Sequence, residues 1–148
     1  MTKGPISVLG TECKTDMQGG NAASGMAVIY VVDDDPSVRR GLTRLLRAAG
    51  FKVRAFASGN EFLDYGKPTE NDCVVADVHM PGMSGLELQQ ALLADDICVP
   101  IILITGRDDQ GARTAARSLG AAGFFTKPFD DQALIDTIKF ATKSPAAR

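Results

Sequence analysis

A chain of 148 residues is the size of one ordinary domain, which argues against a repeat array or a multidomain enzyme. With 45% hydrophobic residues, 23% charged residues and a formal net charge of −2, its composition is that of a globular protein with no bulk charge for holding a polyanion. The longest apolar runs, 27–32 and 101–104, have strand length and fall short of the roughly 18 residues a bilayer span needs, and no signal-peptide core follows Lys3. Membrane insertion is therefore not expected, and a cytoplasmic location is.

Residues 1–26 hold five of the 15 glycines and sustain no helical or alternating pattern, which predicts a flexible extension. From residue 27 onward, short apolar runs predicted as strands at 27–32, 52–55, 73–76, 100–104 and 122–125 alternate with segments of helical period. In the first helix Val38, Leu42, Leu45, Leu46 and Ala49 recur on one face, with Pro36 inside the start and Gly50 past the end. Ser58 with Glu61, and Ser84 with Glu87, have the spacing of capping boxes opening the next two helices. The fourth helix offers only Ala112, Ala115, Ala116 and Leu119 as an inner face, so it buries little area and is expected to move most easily. Asp130 is placed to cap the last helix, whose Leu134, Ile135, Ile138 and Ala141 face inward, and 142–148 form a short tail. The three cysteines, Cys13, Cys73 and Cys98, are odd in number and lack C-x-x-C spacing. This argues against a disulfide framework or a zinc site and makes Cys73 and Cys98 small core or near-core residues.

The alternation amounts to a (βα)5 domain over 27–141 of the α/β class, a doubly wound five-stranded parallel sheet with the flavodoxin-like order 2-1-3-4-5. Such sheets bind ligands in the crevice beyond the carboxyl ends of their strands. Asp33 and Asp34 follow the first strand, Asp77 the third, Thr105 the fourth and Lys127 the fifth, all on that edge. Singly, each has a plain structural reading, and Asp35 before Pro36 is simply a helix cap. Their joint occurrence at successive strand ends is what points to a site. At an effective dielectric near 20, two carboxylates about 4 Å apart repel by roughly 4 kcal/mol, and Lys127 alone cannot cancel several such pairs. Either the acids stay partly protonated or a hard divalent cation sits among them. Carboxylates and waters suit Mg2+, which commonly also takes phosphate oxygens. In such a site Asp77 is the candidate nucleophile, forming an aspartyl phosphate, with the metal and Lys127 neutralising the transferring oxygens.

Asp33-Asp34, Asp77 followed by Val-His-Met-Pro-Gly-Met-Ser-Gly, Thr105-Gly106 and Lys127-Pro128-Phe129 resemble, in order and spacing, the response regulator receiver domain of bacterial two-component signalling, most of all the FixJ-like receivers. The resemblance implies that Asp77 accepts a phosphoryl group from the phosphohistidine of a sensor histidine kinase or phosphotransfer protein. It implies Mg2+ ligated by Asp34, Asp77 and the His79 backbone carbonyl, with Asp33 helping through water, and Lys127 pairing with the phosphoryl oxygens. Thr105 donates its hydroxyl to another phosphoryl oxygen, and Phe124 turns inward with it as the second half of a switch pair. Gly106 leaves room beside the phosphate, and the Lys127–Pro128 bond is expected to be cis. The implied output surface is the fourth helix, fifth strand and fifth helix, which a downstream effector protein reads or a homodimer uses. By the same resemblance the protein is not an enzyme beyond catalysing its own phosphorylation and slow autodephosphorylation.

Phe124 lacks the phenol hydroxyl that some relatives carry, so burial alone is expected to favour its inward rotamer. His79 and Arg107 flank the site and bear on autodephosphorylation, His79 as a surface side chain and not a general base. Met80 and Met83 read as loop packing, Pro81, Gly82 and Gly85 as turn residues, and Arg113 and Arg117 as outward solvated charge. No recognition helix or basic stripe points to direct nucleic-acid binding. With so little chain after the last helix, the expectation is a single-domain response regulator whose output is a partner. Beside it stand a receiver cut from a longer FixJ-like transcriptional regulator, a haloacid-dehalogenase-type phosphohydrolase using Asp33 and Asp35 as its D-x-D pair, and a pseudo-receiver that binds without phosphorylation.

Overall fold

The computed structural model describes residues 27–142 apart from 67 and 108. The predicted N-terminal extension, and all of the predicted tail but Thr142, lie outside the described residues. In chain order the elements are β1 (Val28–Val32), α1 (Pro36–Ala48), β2 (Lys52–Phe56), α2 (Gly59–Tyr65), β3 (Cys73–Asp77), α3 (Gly85–Ala94), β4 (Ile101–Thr105), α4 (Gln110–Ser118), β5 (Gly123–Thr126) and α5 (Asp131–Thr142). All strand pairs are parallel and the sheet runs β2-β1-β3-β4-β5, the order expected from the sequence. The predicted strands lie within two residues of those formed.

Alternation along each strand builds two cores, one on each face of the sheet. Ile29, Val31, Val75, Ile102 and Ile104 pack with Leu42 and Leu46 of α1 and with Leu134, Ile135 and Ile138 of α5. Tyr30, Val32, Val74, Ala76 and Leu103 pack on the opposite face with Phe62 of α2, Leu88 and Leu92 of α3, and Ala112 and Ala116 of α4. The inner strands β3 and β4 are buried throughout, whereas the edge strands β2 and β5 keep partial exposure.

The helix starts follow from local chemistry. Asp35 caps α1 by accepting the Ser37 N–H at 2.9 Å, with Pro36 where its missing N–H costs nothing, and Gly50 past the end takes φ 99°. Ser84 and Glu87 form a full capping box on α3. The Ser58 box is only half made: Ser58 accepts the Glu61 N–H, but the Glu61 carboxylate turns to the Ala57 N–H instead of to Ser58. Asp130 accepts the Ala133 N–H at 2.9 Å, as its position suggested. On α4, Ala112 and Ala116 are buried while Ala115 and Leu119 are half-buried, so the inner face is as thin as expected.

One expectation is corrected. Thr142 belongs to α5 and not to a tail: it is 3% exposed and its hydroxyl donates to the Ile138 carbonyl at 3.0 Å. Cys73 is a buried free thiol pushed up to about 12 by burial, and Cys98 is half-buried.

Candidate functional site

The parallel register aligns the strand ends: Val32 lies opposite Ala76, Asp77 opposite Ile104, and Thr105 opposite Thr126. Each side chain that continues a strand therefore enters the same crevice. One carboxylate oxygen from each of Asp33, Asp34 and Asp77 lies within 4.8 Å of the others. Asp33 and Asp77 are 2% and 9% exposed, and Asp34 opens to solvent. Short turns fix the two sheltered acids: Asp33 Oδ1 accepts the Asp35 N–H at 2.9 Å, and Asp77 Oδ1 accepts the His79 N–H at 3.2 Å.

Burial pushes the Asp33 carboxyl above the usual carboxylate range; the Asp35 N–H opposes it, the Asp77 charge adds to it and Lys127 counters it. Asp77 is also raised, again chiefly by burial, with the His79 N–H and Lys127 opposing and Asp34 reinforcing. Lys127 Nζ stands 3.9 Å from Asp33 Oδ2, a loose pair. Three clustered carboxylates against one lysine form an oxygen-only donor set with uncompensated charge, which fits a hard divalent cation such as Mg2+ and not a soft or nitrogen-seeking metal.

The loop after β3 is held by close packing. Met80 is buried, His79 projects to solvent as expected, and Gly82 takes φ 83°. Gly85 packs so tightly that an added Cβ would lie 2.6 Å from the Asp77 carbonyl oxygen. A Cβ on Gly106 would meet nothing, consistent with open space beside the pocket. The Lys127–Pro128 bond is cis, and the Lys127 N–H donates to the Thr105 carbonyl at 2.8 Å.

Thr105 is fully buried and its hydroxyl is engaged with the next loop, donating to the Arg107 carbonyl at 3.0 Å and accepting the Arg107 N–H at 3.3 Å. Phe124 is half-buried against the α4-side core. Asp35 accepts the Ser37 N–H as the cap of α1 and lies exposed, outside the cluster that Asp33, Asp34 and Asp77 form.

Two residues were missed or misread from the sequence. Arg39, in the first turns of α1, donates from Nη1 to the Asp33 carbonyl at 2.7 Å and so ties the end of β1 to the helix that follows it. Its nearness in sequence to Asp33 was the available signal. Arg113 is not simply solvated: its guanidinium sits 4.8 Å from the Phe124 ring centroid and donates to the Thr126 hydroxyl at 3.4 Å. Helical spacing pointed it outward, but α4 lies beside the short edge strand β5, and a long side chain reaches across. Arg117 is exposed as expected.

A doubly wound sheet in this order, with an acidic crevice at the strand ends, is the architecture of CheY-like signalling domains. The chain belongs to the response regulator receiver domain family, whose model matches residues 29–139. Nodulation protein W of Bradyrhizobium diazoefficiens is 44% identical over 132 residues, 88% of this chain and 58% of that protein. Transcriptional regulatory protein FixJ of Azorhizobium caulinodans is 43% identical over 111 residues, 75% of this chain and 53% of that protein. The crystal structure of FixJ-N matches with a TM-score of 0.74 at 36% identity, covering 79% of this chain and 94% of that one. The chain spans little more than half the length of these curated relatives. It is thus a receiver of the kind found in two-component response regulators, a family that binds Mg2+ in an acidic pocket. Among the described residues, no helix is long and apolar enough to cross a membrane.

Proposed function

We propose that this receiver accepts a phosphoryl group on Asp77 from the phosphohistidine of a sensor histidine kinase or phosphotransfer protein, and that phosphorylation changes the α4–β5–α5 face for a downstream effector protein or for a second copy of the chain. The observation that carries the reading is the sheltered Asp77 carboxylate, clustered with Asp33 and Asp34 and facing Lys127 across the ends of four neighbouring strands.

In the transfer, an Asp77 carboxylate oxygen attacks phosphorus, a P–O bond forms, the P–N bond breaks, and its electron pair returns to the donor imidazole, which takes up a proton. Asp33, Asp34 and the Asp77 carboxylate, with the His79 carbonyl, would hold Mg2+, which when bound supplies positive charge for the phosphoryl oxygens. The Asp77 rotamer is set by the His79 N–H, which occupies one oxygen and leaves the other for attack. Lys127 is free to move from its loose pair with Asp33 to a phosphoryl oxygen, because a 3.9 Å contact on a partly exposed side chain holds it weakly. Thr105 would exchange the Arg107 carbonyl for a phosphoryl oxygen as its acceptor. The output is proposed to be a protein contact, made by a stand-alone receiver or within a longer FixJ-like regulator.

Intact-mass spectrometry after incubation with a small phosphodonor tests the reading. One phosphoryl adduct is expected with Mg2+, none with chelator and none in Asp77→Asn. An undiminished adduct in Asp77→Asn, or none in the wild type, overturns it. Equal partner affinity with and without the adduct would instead support the pseudo-receiver reading.

A further inference from the structure

We propose that Arg113 is a latch on the switch aromatic: its guanidinium holds Phe124 on the α4 side of the sheet edge in the resting receiver, and phosphorylation acts in part by releasing it. The proposal rests on the phosphoacceptor reading above and names the residue through which that switch is restrained in this chain.

Arg113 Cζ lies 4.8 Å from the Phe124 ring centroid, within cation–π range. The same side chain donates from Nη2 to the Thr126 hydroxyl at 3.4 Å. Phe124 and Thr126 are two residues apart on β5 and so share a face, and one arginine spans both. The rest of the α4 packing is thin. Ala112 and Ala116 are its buried residues, and the bond from Gln89 Nε2 to the Ala116 carbonyl is long, at 3.4 Å. Arg113 is therefore a substantial link between α4 and β5.

Its position couples to the site along the chain. Thr126 pairs in register with Thr105, and the Thr105 hydroxyl bonds both the N–H and the carbonyl of Arg107. Arg107 lies in the segment that leads into α4. A Thr105 hydroxyl that turns to a phosphoryl oxygen must leave the Arg107 carbonyl, which loosens the entry to the helix carrying Arg113. Phenylalanine has no hydroxyl with which to hold either orientation, so the cation supplies a bias that burial alone does not. The sign follows: Arg113 favours the resting orientation and lowers the fraction of unphosphorylated protein in the switched state.

The test is aromatic NMR on the full chain with labelled phenylalanine, Phe124 being assigned by the signal lost in Phe124→Leu. Spectra are taken with Mg2+ alone and with Mg2+ plus beryllium fluoride as phosphoryl mimic. In Arg113→Met with Mg2+ alone, the Phe124 signal should move part of the way along the line joining the two wild-type states, a change of about twofold to fivefold in the ratio of orientations. Arg113→Lys, which keeps a cation, should stay near the wild-type resting position. A Phe124 signal in Arg113→Met that stays at the wild-type position, or leaves the line, overturns the latch. If the wild type does not respond to beryllium fluoride, the phosphoacceptor reading fails; the latch is then decided by the resting spectra, where equal Phe124 signals in the Met and Lys variants overturn it.

Discussion

Lys127 Nζ lies 3.9 Å from Asp33 Oδ2, the oxygen of Asp33 left over after its partner oxygen has taken the Asp35 N–H. One loosely placed ammonium thus faces a carboxylate that is itself within 4.8 Å of two others, and burial of Asp33 and Asp77 adds the largest cost of keeping them charged. Such a pocket trades fold stability for the ability to capture a cation.

That imbalance predicts a pH dependence of stability in chelator. Asp33 and Asp77 both titrate above the ordinary 3.8 in the folded chain, so between that value and their raised folded values the native state binds more protons than the unfolded one. Stability from these groups therefore falls as pH rises through that window, and the loss persists above it. Asp33→Asn keeps the acceptor for the Asp35 N–H but removes a charge, so its melting temperature at neutral pH should exceed that of the wild type in chelator. Each kcal/mol relieved is worth about 4 °C. Mg2+ should stabilise the wild type more than the variant. Thermal melts over a pH series that starts at 3.8 and runs to neutral check this, and identical pH slopes for the two proteins would contradict it.

Gly85 predicts a second effect. A Cβ there would lie 2.6 Å from the Asp77 carbonyl oxygen and 2.9 Å from Leu103 Cδ2. The leucine can turn aside, but the carbonyl moves only with the backbone of Asp77 itself. Gly85→Ala should destabilise the fold by about 1–3 kcal/mol and slow adduct formation at Asp77. Urea melts and a phosphorylation time course read the two, and a variant with wild-type values for both would refute the packing argument.

The fold was legible because its signals are local and periodic: Val38, Leu42, Leu45 and Leu46 announce α1, and the Asp77 to Gly85 run announces both the acid and the helix that follows it. The site was legible because a parallel sheet delivers the residues after its strands to one edge, so order along the chain becomes proximity. The illegible parts depend on side-chain reach. Nothing in the helical spacing of Arg113 says that its guanidinium lies across Phe124, or that the Glu61 carboxylate bypasses Ser58 for Ala57. The Arg39 contact to the Asp33 carbonyl is of the same kind, a long flexible side chain choosing a backbone acceptor.

Arg39→Met is the variant that exposes that contact. It keeps the apolar stem against the domain and removes a charged donor from a 2.7 Å bond to the carbonyl of a pocket residue. The end of β1 should loosen, weakening Mg2+ binding by about tenfold, as loss of a group that orients a ligand does. Calorimetric titration of Mg2+ reads it directly, and an unchanged affinity would show that Asp33 is positioned by the sheet alone.

Gln89 gives the opposite sign. Its side chain is 2% exposed between α3 and α4, its Nε2 makes a 3.4 Å bond to the Ala116 carbonyl, and its Oε1 is buried with no partner. The Ala116 carbonyl already accepts the Ala121 N–H at 2.9 Å, so losing Gln89 orphans nothing. An unsatisfied buried carbonyl costs about 1–3 kcal/mol, whereas a long neutral hydrogen bond returns less. Gln89→Leu should therefore raise the melting temperature and slow amide exchange in α4, because the helix now rests on an apolar contact. Gln89→Ala removes the same orphan but opens a cavity, and should fall below the leucine variant. A leucine variant less stable than wild type would mean that the Ala116 contact outweighs the orphaned oxygen, and that α4 is held to α3 by polar contact and not by packing.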